Sequence, residues 1–137
     1  MKKLITLLLF VTVTLTAQER GDNTLFIETD MQAVENLLLR NFYEIETLTD
    51  ARFSTKPKPI EGSVYAYDLR VSLHGVMIDG KMMIYANYSF RGGTLTAETY
   101  SGRAEFHRRR LVGKRLAFDE MDYVFSQLGK TIIYQSR

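Results

Sequence analysis

A strongly basic segment carries the most conspicuous chemistry of this sequence: six basic residues and one acidic residue lie between Arg103 and Arg115. Guanidinium and ammonium groups bind phosphates and carboxylates through charge-assisted hydrogen bonds, so the segment predicts contact with an anionic partner. The residues assigned to this contact are Arg103, His107, Arg108, Arg109, Arg110, Lys114 and Arg115. The alternative is a solvated sheet edge, whose charges discourage aggregation and are partly balanced by the acidic segment from Glu19 to Asp50.

Two histidines, His74 and His107, are the candidates for acid–base chemistry near neutral pH. On a strand His107 would share a face with Glu105, which could orient its ring, but no recognisable nucleophile accompanies the pair. His74 is expected to be exposed near a hairpin tip, opposite Tyr85. No spacing of histidine and carboxylate residues matches a metal site. The sequence therefore names no catalytic residue, metal ion or cofactor, and we expect a protein without catalysis.

Aromatic residues are the second candidate group, with eight tyrosines and eight phenylalanines in the chain. Tyr65, Tyr67, Tyr88 and Phe90 fall on the apolar face of a predicted sheet. They form either the core of the protein or the lining of a pocket, in which the phenolic hydroxyls would be the polar groups.

The stretch from Val64 to Tyr100 predicts the sheet that must position these side chains, a three-stranded antiparallel meander. Asp79-Gly80 is typical of a two-residue type I′ turn, because both central residues of that turn need positive φ. Across it, apolar residues pair with apolar residues and polar with polar. The same register places Asp68 opposite Arg91 as an ion pair.

The second turn of the meander is assigned to Gly92-Gly93. This assignment places Phe90 opposite Leu95 and Tyr88 opposite Ala97. The alternation of apolar residues then changes parity after Gly102, which predicts a β-bulge there.

Two helices are predicted, one on each side of the meander. The first begins with a capping residue, Thr29 or Asp30, and its apolar residues recur at helical spacing as far as Leu48. The alternative is that a short strand begins at Tyr43. The second helix is expected from Asp119 to Leu128, with Asp119 as its cap.

The remaining segments give weaker patterns. Residues 18–26 are expected to be loose. The connection from Asp50 to Gly62 is expected to be a mobile loop or, alternatively, a lid over the sheet, because its lysines and prolines favour an extended path. Thr131 to Tyr134 is β-branched and aromatic, which predicts a terminal edge strand.

The first 17 residues have the pattern of a secretory signal peptide, in which Lys2 and Lys3 precede an apolar stretch and Ala17 is the expected last residue removed. The alternative is an uncleaved membrane anchor, although the apolar stretch is shorter than the roughly 20 residues of a spanning helix. Cleavage would leave equal numbers of acidic and basic residues. Residues 18–137 are expected to form one cysteine-free domain, periplasmic or secreted, of bacterial type.

The predicted fold is α+β, with an N-terminal helix packed on a three- to four-stranded antiparallel meander and a second, C-terminal helix. A helix from Thr29 to Tyr43 ahead of a curved sheet resembles the opening helix of nuclear transport factor 2-like cones, and the outline is also similar to cystatin-like folds. The resemblance implies a cone that holds a small ligand, with or without enzymatic activity.

Three functions follow as hypotheses. The leading one is an exported accessory protein of the bacterial envelope, without catalysis, that binds a protein partner or an anionic glycan or lipid headgroup through the basic segment. Nucleic acid is not an expected partner of an exported chain. The second is the small-ligand-binding cone. The third is a structural subunit that self-associates through Thr131–Tyr134.

Overall fold

The computed structural model describes residues 18–92 and 98–137, which form one eight-stranded antiparallel sheet and two helices. The elements in chain order are β1 (Thr24–Ile27), α1 (Met31–Arg40), β2 (Ile45–Leu48), β3 (Arg52–Thr55), β4 (Lys58–Pro59), β5 (Tyr67–Ile78), β6 (Lys81–Arg91), β7 (Thr99–Arg103), α2 (Gly113–Ser126) and β8 (Ile133–Gln135). The α+β class with an antiparallel sheet is confirmed. The predicted architecture is wrong, because α1 follows a strand and the described sheet is much larger than a three- to four-stranded meander. The opening helix predicted from Thr29 to Tyr43 is shorter than expected, since α1 has 10 residues and lies after β1.

The long hairpin of β5 and β6 is the centre of the sheet. Asp79 and Gly80 form its turn with φ angles of 50° and 77°, as the type I′ pattern requires. The predicted register is confirmed from Ile78 opposite Lys81 back to Arg70 opposite Ser89.

Beyond Arg70 the register of the hairpin shifts, and Tyr67 rather than Asp68 lies opposite Arg91. The predicted ion pair between Asp68 and Arg91 is therefore not formed. Asp68 has a φ of 50°, and its carboxylate lies 3.6 Å from Nε of Arg70 instead. A backbone irregularity of this kind leaves no mark in the alternation of apolar residues, so the sequence did not show it.

The second turn of the meander is longer than the two glycines predicted, because the amide of Gly92 donates to the carbonyl of Glu98 at 3.1 Å. Phe90 pairs with Tyr100, five residues beyond the predicted partner Leu95, which lies outside the described residues together with Ala97. A shift by an odd number inverts the face of every later residue. The bulge predicted at Gly102 is thus wrong: β7 keeps a regular register with β6 throughout.

Helix α1 begins where the sequence predicts and ends earlier. The carboxylate of Asp30 accepts a hydrogen bond from the amide of Ala33 at 2.8 Å, so Asp30 is the N-cap. The helix stops at Arg40, and Phe42 adopts the left-handed region with a φ of 62°. The predicted continuation to Leu48 is wrong. The alternative of a short strand is confirmed by β2, which begins at Ile45 rather than at Tyr43.

Helix α2 begins at Gly113, ahead of the predicted cap at Asp119. Asp119 instead accepts from Nε of Arg115 at 2.7 Å, one turn earlier on the helix. No side chain caps the helix at Val112. The true start of the helix therefore has no capping residue that a sequence pattern could reveal.

Short strands that the sequence did not reveal complete the sheet. β3 and β4 pair with the outer edge of β5, and β1 and β7 pair with the outer edge of β6. The segment expected to be loose thus contains β1, and the expected loop between Asp50 and Gly62 contains β3 and β4. The terminal edge strand is confirmed, since β8 extends the sheet beyond β1.

Both helices contribute to a single core, in which α2 packs on β5 and β6 and α1 packs against α2. The buried helix residues include Val34, Leu37 and Leu38 of α1 and Phe118, Met121 and Phe125 of α2. They belong to one hydrophobic cluster with strand residues that are equally buried, such as Leu73 and Ile84. Of the two helices in the described residues, neither is long and apolar enough to cross a membrane.

Candidate anion-binding site

The basic segment is positioned by the chain that joins β7 to α2. At its centre, the amide of Phe106 donates to the carbonyl of Asp22 at 2.7 Å, and the amide of Gly21 donates to the carbonyl of Phe106 at 3.0 Å. The ring of Phe106 also packs edge-on against Phe118 of α2, with 5.6 Å between ring centres. These contacts hold the backbone just ahead of the arginine run 108–110.

Arg103 is bound into the fold. Its Nη2 donates to the hydroxyl of buried Thr24 at 2.7 Å, and its guanidinium carbon lies 4.6 Å from the centre of the Tyr85 ring. Its Nε is buried and has no hydrogen-bond partner among the described residues. Arg103 therefore joins β7 to β1 and β6 and is not available to a partner.

Arg115 is bound into the fold as well. Besides its contact with Asp119, its Nη1 donates to the carbonyl of His107 at 2.7 Å. The guanidinium carbon lies 3.9 Å from the centre of the Phe106 ring. The side chain is 13% exposed and ties the connection to the first turn of α2.

Lys114 and His107 add little free charge to the site. The ammonium of Lys114 lies 3.4 Å from the carboxylate of Glu105. Nδ1 of His107 accepts from the amide of Arg109 at 3.1 Å. Partial loss of solvent lowers the pKa of His107 below 6.5, and the nearby cation of Lys114 lowers this pKa further. Both effects favour the neutral imidazole, and Glu105 bonds Lys114 rather than orienting the ring.

Arg109 and Arg110 line a cavity of about 400 Å³. Its other lining residues are Tyr65, Leu111 and Val112. The hydroxyl of Ser63 donates to the carbonyl of Leu111 at 2.6 Å, which holds the chain before β5 against the chain before α2. Arg108 is exposed and lies outside this lining.

The cavity combines two kinds of surface. Two guanidinium groups offer charge-assisted hydrogen bonds to a carboxylate or phosphate, and the phenol of Tyr65 offers one further donor. Leu111 and the Tyr65 ring are 52% and 65% exposed, and they supply apolar surface beside the charges. The arrangement fits an anionic group attached to an apolar one.

The other predicted pocket aromatics lie elsewhere. Tyr67 is 54% exposed and pairs with Arg91 at the end of the hairpin. Tyr88 and Phe90 stack with 5.8 Å between ring centres, and Phe90 packs so closely on Gly113 of α2 that a β-carbon there would lie 2.5 Å from the ring. Of the four, Tyr65 alone lines the cavity of Arg109 and Arg110.

A second cavity, of about 290 Å³, lies beside His74 and Tyr85 and was not predicted. The two rings stack at 5.1 Å, and Nε2 of His74 lies 3.0 Å from the hydroxyl of Ser72. The predicted pairing of His74 with Tyr85 is confirmed, but the imidazole is half-buried rather than exposed, and this burial lowers its pKa. Arg52 of β3, which also lines the cavity, belongs to a strand that the sequence did not show.

In the part of the chain that the structure describes, no group of three histidine or carboxylate side chains lies close enough together to hold a metal ion. Comparison of the chain with family models, curated proteins and solved structures found no match. The function of the site therefore has to be argued from its own geometry.

Proposed function

We propose that the chain is an exported, non-catalytic accessory protein that binds an acidic group of a protein partner in the cavity of Tyr65, Arg109 and Arg110. The observation that carries the proposal is this cavity, which joins two arginines without a described ion-pair partner to an exposed aromatic ring. Guanidinium groups bind carboxylates in a bidentate geometry, and aromatic and arginine residues together are typical of binding hot spots.

A protein partner fits this surface better than a membrane does. Recognition of anionic lipids generally uses clusters of about 4–8 free basic residues close to the membrane surface. In the basic segment Arg103, Lys114 and Arg115 are engaged with other side chains, which leaves the run from Arg108 to Arg110. A concave site with apolar walls fits one acidic side chain and an apolar neighbour of a partner protein.

The proposal is tested by removing the charge at the cavity and, separately, an equal charge elsewhere. The variant Arg109→Ser/Arg110→Ser should lower the affinity for the native envelope partner by about a hundredfold, because each of the two lost bidentate contacts costs on the order of 1.4 kcal/mol, a factor of ten. Tagged protein purified from its own envelope, with retained proteins quantified by mass spectrometry, gives the measurement.

The matched control is Arg108→Ser/Arg40→Ser, which removes two exposed arginines outside the cavity. We expect this control to retain the partner at the level of the unchanged chain. Equal loss in the two double variants would show that net charge rather than the cavity governs retention, and unchanged retention in both would refute the proposed site.

The export part of the proposal depends on residues 1–17, which lie outside the described residues. It predicts that the mature chain begins at Gln18, which an intact mass of protein isolated from the envelope fraction would show. If the isolated chain retains residues 1–17, this part of the proposal is wrong and the protein is anchored rather than released by cleavage. The arginine experiment stands in either case.

A further inference from the structure

Strand β7 has an open edge. One side pairs with β6 from Thr99 opposite Arg91 to Arg103 opposite Asn87, and no other described strand pairs with β7. Its first four residues, 99–102, are exposed. An exposed edge offers unpaired backbone groups to another chain.

The hydrogen bonds at the two ends of the pairing show which backbone groups are free. The amide of Gly92 donates to the carbonyl of Glu98, and the amide of Ala104 donates to the carbonyl of Ala86. Because bonded and non-bonded pairs alternate in an antiparallel ladder, the even-numbered residues of β7 face β6. The N–H and C=O groups that point outward are those of Thr99, Ser101 and Arg103.

The other edges of the sheet are less available. β2 has an irregular register between Ile45 and Thr47, with the exposed carboxylate of Glu46 at the irregularity. In β8, the carbonyl of Gln135 accepts from the amide of Asn23 and so points inward. Because the direction of the backbone groups alternates along a strand, only Tyr134 of this three-residue strand points its N–H and C=O outward. Bulges, charges and short length are common protections of sheet edges.

β7 is the longest of these three edge strands and is less protected. Its one charged residue, Arg103, turns its guanidinium toward Thr24 and the Tyr85 ring, where it cannot repel a second strand. The strand contains no proline and has a regular register. The remaining side chains are small or uncharged.

We propose that β7 pairs with β7 of a second copy of this chain, antiparallel, with Ser101 of one copy opposite Ser101 of the other. This two-fold arrangement places Thr99 opposite Arg103, and all three of these residues direct their backbone groups outward. Three N–H donors from each of two copies then form six hydrogen bonds. The outward residues 99, 101 and 103 are symmetric about Ser101, the middle residue of the strand. The edge is therefore complementary to a second copy of itself, as a closed two-fold dimer requires.

The side chains of β7 support the same register. Tyr100 of one copy comes to lie opposite Gly102 of the other, on the face that carries the aromatic rings of β6. Gly102 packs closely against Tyr88, since a β-carbon there would lie 3.2 Å from the Tyr88 hydroxyl, and it presents no side chain of its own to the second copy. The Tyr100 ring stacks on Phe90 with 5.4 Å between ring centres and donates its hydroxyl to Glu98 at 2.8 Å, yet the residue stays 47% exposed. Its open side can lie beside Gly102 of the other copy, as aromatic residues do beside glycine on a neighbouring strand.

Cysteine cross-linking tests this register directly, because the chain contains no cysteine of its own. Ser101→Cys should give a disulfide-linked dimer under mild oxidation, since directly opposed residues have Cα atoms about 5.5 Å apart. Thr99→Cys is the matched control, because the two copies of this residue would be separated by four residues of strand, about 13 Å. We expect it to stay monomeric on a non-reducing gel.

Sedimentation measurements of the dimer affinity, made without introduced cysteines, complete the test. Ser101→Pro removes an outward N–H without removing a bond to β6, and should weaken the dimer by about tenfold or more, whereas Ser101→Thr should not. A circular dichroism spectrum checks that the proline variant is folded. If it is not folded, the comparison of Ser101→Cys with Thr99→Cys is the test of the dimer. Equal cross-linking of the two cysteine variants, a dimer that Ser101→Cys does not link, or a chain that stays monomeric at millimolar concentration would each overturn the proposal.

Discussion

Arg115 and Arg109 lie six residues apart in the same basic segment, yet their surroundings differ completely. Arg115 is 13% exposed, donates to Asp119 and to the carbonyl of His107, and covers the Phe106 ring. Arg109 and its neighbour Arg110 are exposed and line a cavity with no ion-pair partner among the described residues. The difference teaches that a charged run in a sequence can combine residues that stabilise the fold with residues that are free to bind.

The largest expected effect on stability comes from Arg115. Arg115→Ala should lower the free energy of unfolding by about 2–3 kcal/mol, because it removes charge-assisted hydrogen bonds and the packing of the side-chain stem on Phe106. Urea unfolding followed by circular dichroism gives the value. Arg108→Ala is the control and should change it by no more than about 0.5 kcal/mol. Similar losses in the two variants would remove the distinction between bound and free arginines.

A smaller effect is expected for Arg103, whose contacts are fewer. Arg103→Met keeps the aliphatic stem and should cost about 1–2 kcal/mol, chiefly through the lost hydrogen bond to buried Thr24. A double-mutant cycle with Thr24→Val isolates this bond. Strict additivity of the two changes would show that the contact contributes nothing, and would move Arg103 into the class of free arginines.

The exposed arginines should have almost no effect on stability. Arg109→Ser/Arg110→Ser is expected to unfold within about 0.5 kcal/mol of the unchanged chain, because no described side chain pairs with either guanidinium. The same urea titration measures it. A loss of more than about 1 kcal/mol would show that these arginines hold the fold, and the reduced partner retention of this variant could then not be assigned to binding.

The pH dependence of binding sharpens the comparison at His107. Its pKa is lowered by loss of solvent and by Lys114, so the folded chain binds fewer protons at this residue than the unfolded chain as the pH falls through 6.5. The stability contribution of the neutral imidazole is therefore present above that pH and declines below it. Partner retention should stay constant from pH 8 to pH 7, and His107→Ala should leave it constant. A rise in retention between pH 8 and pH 7 that His107→Ala abolishes would show that this residue binds as a cation.

The central hairpin was predictable because its information is local. A two-residue turn with a residue pair suited to positive φ fixes the register, and the alternation of apolar residues confirms it over nearly the whole of β5 and β6. Strands β1, β3 and β4 have two to four residues each and are stabilised by pairing with the edges of this hairpin. Their partners are distant in sequence, so a single strand of this length carries too little pattern.

The sequence could predict which residues belong to the candidate site, but it could not predict that they lie together. The sequence pointed to the arginine run by charge and to Tyr65 by its aromatic character. What brings them together is a hydrogen bond from Ser63 to the carbonyl of Leu111, across 48 residues. No local pattern encodes such a contact. The sequence also could not show that Arg103, Lys114 and Arg115 are occupied, because their partners come from the folded neighbourhood.

Photo-crosslinking from the cavity itself tests the central claim most directly. Tyr65 is replaced by benzoylphenylalanine in cells, which keeps an aromatic ring at the mouth of the cavity, and the products are identified after irradiation. The account predicts a single cross-linked partner protein, lost when Arg109→Ser/Arg110→Ser is added and retained with Arg108→Ser/Arg40→Ser. A cross-link that is insensitive to both arginine pairs, or no cross-link to any protein, would contradict it.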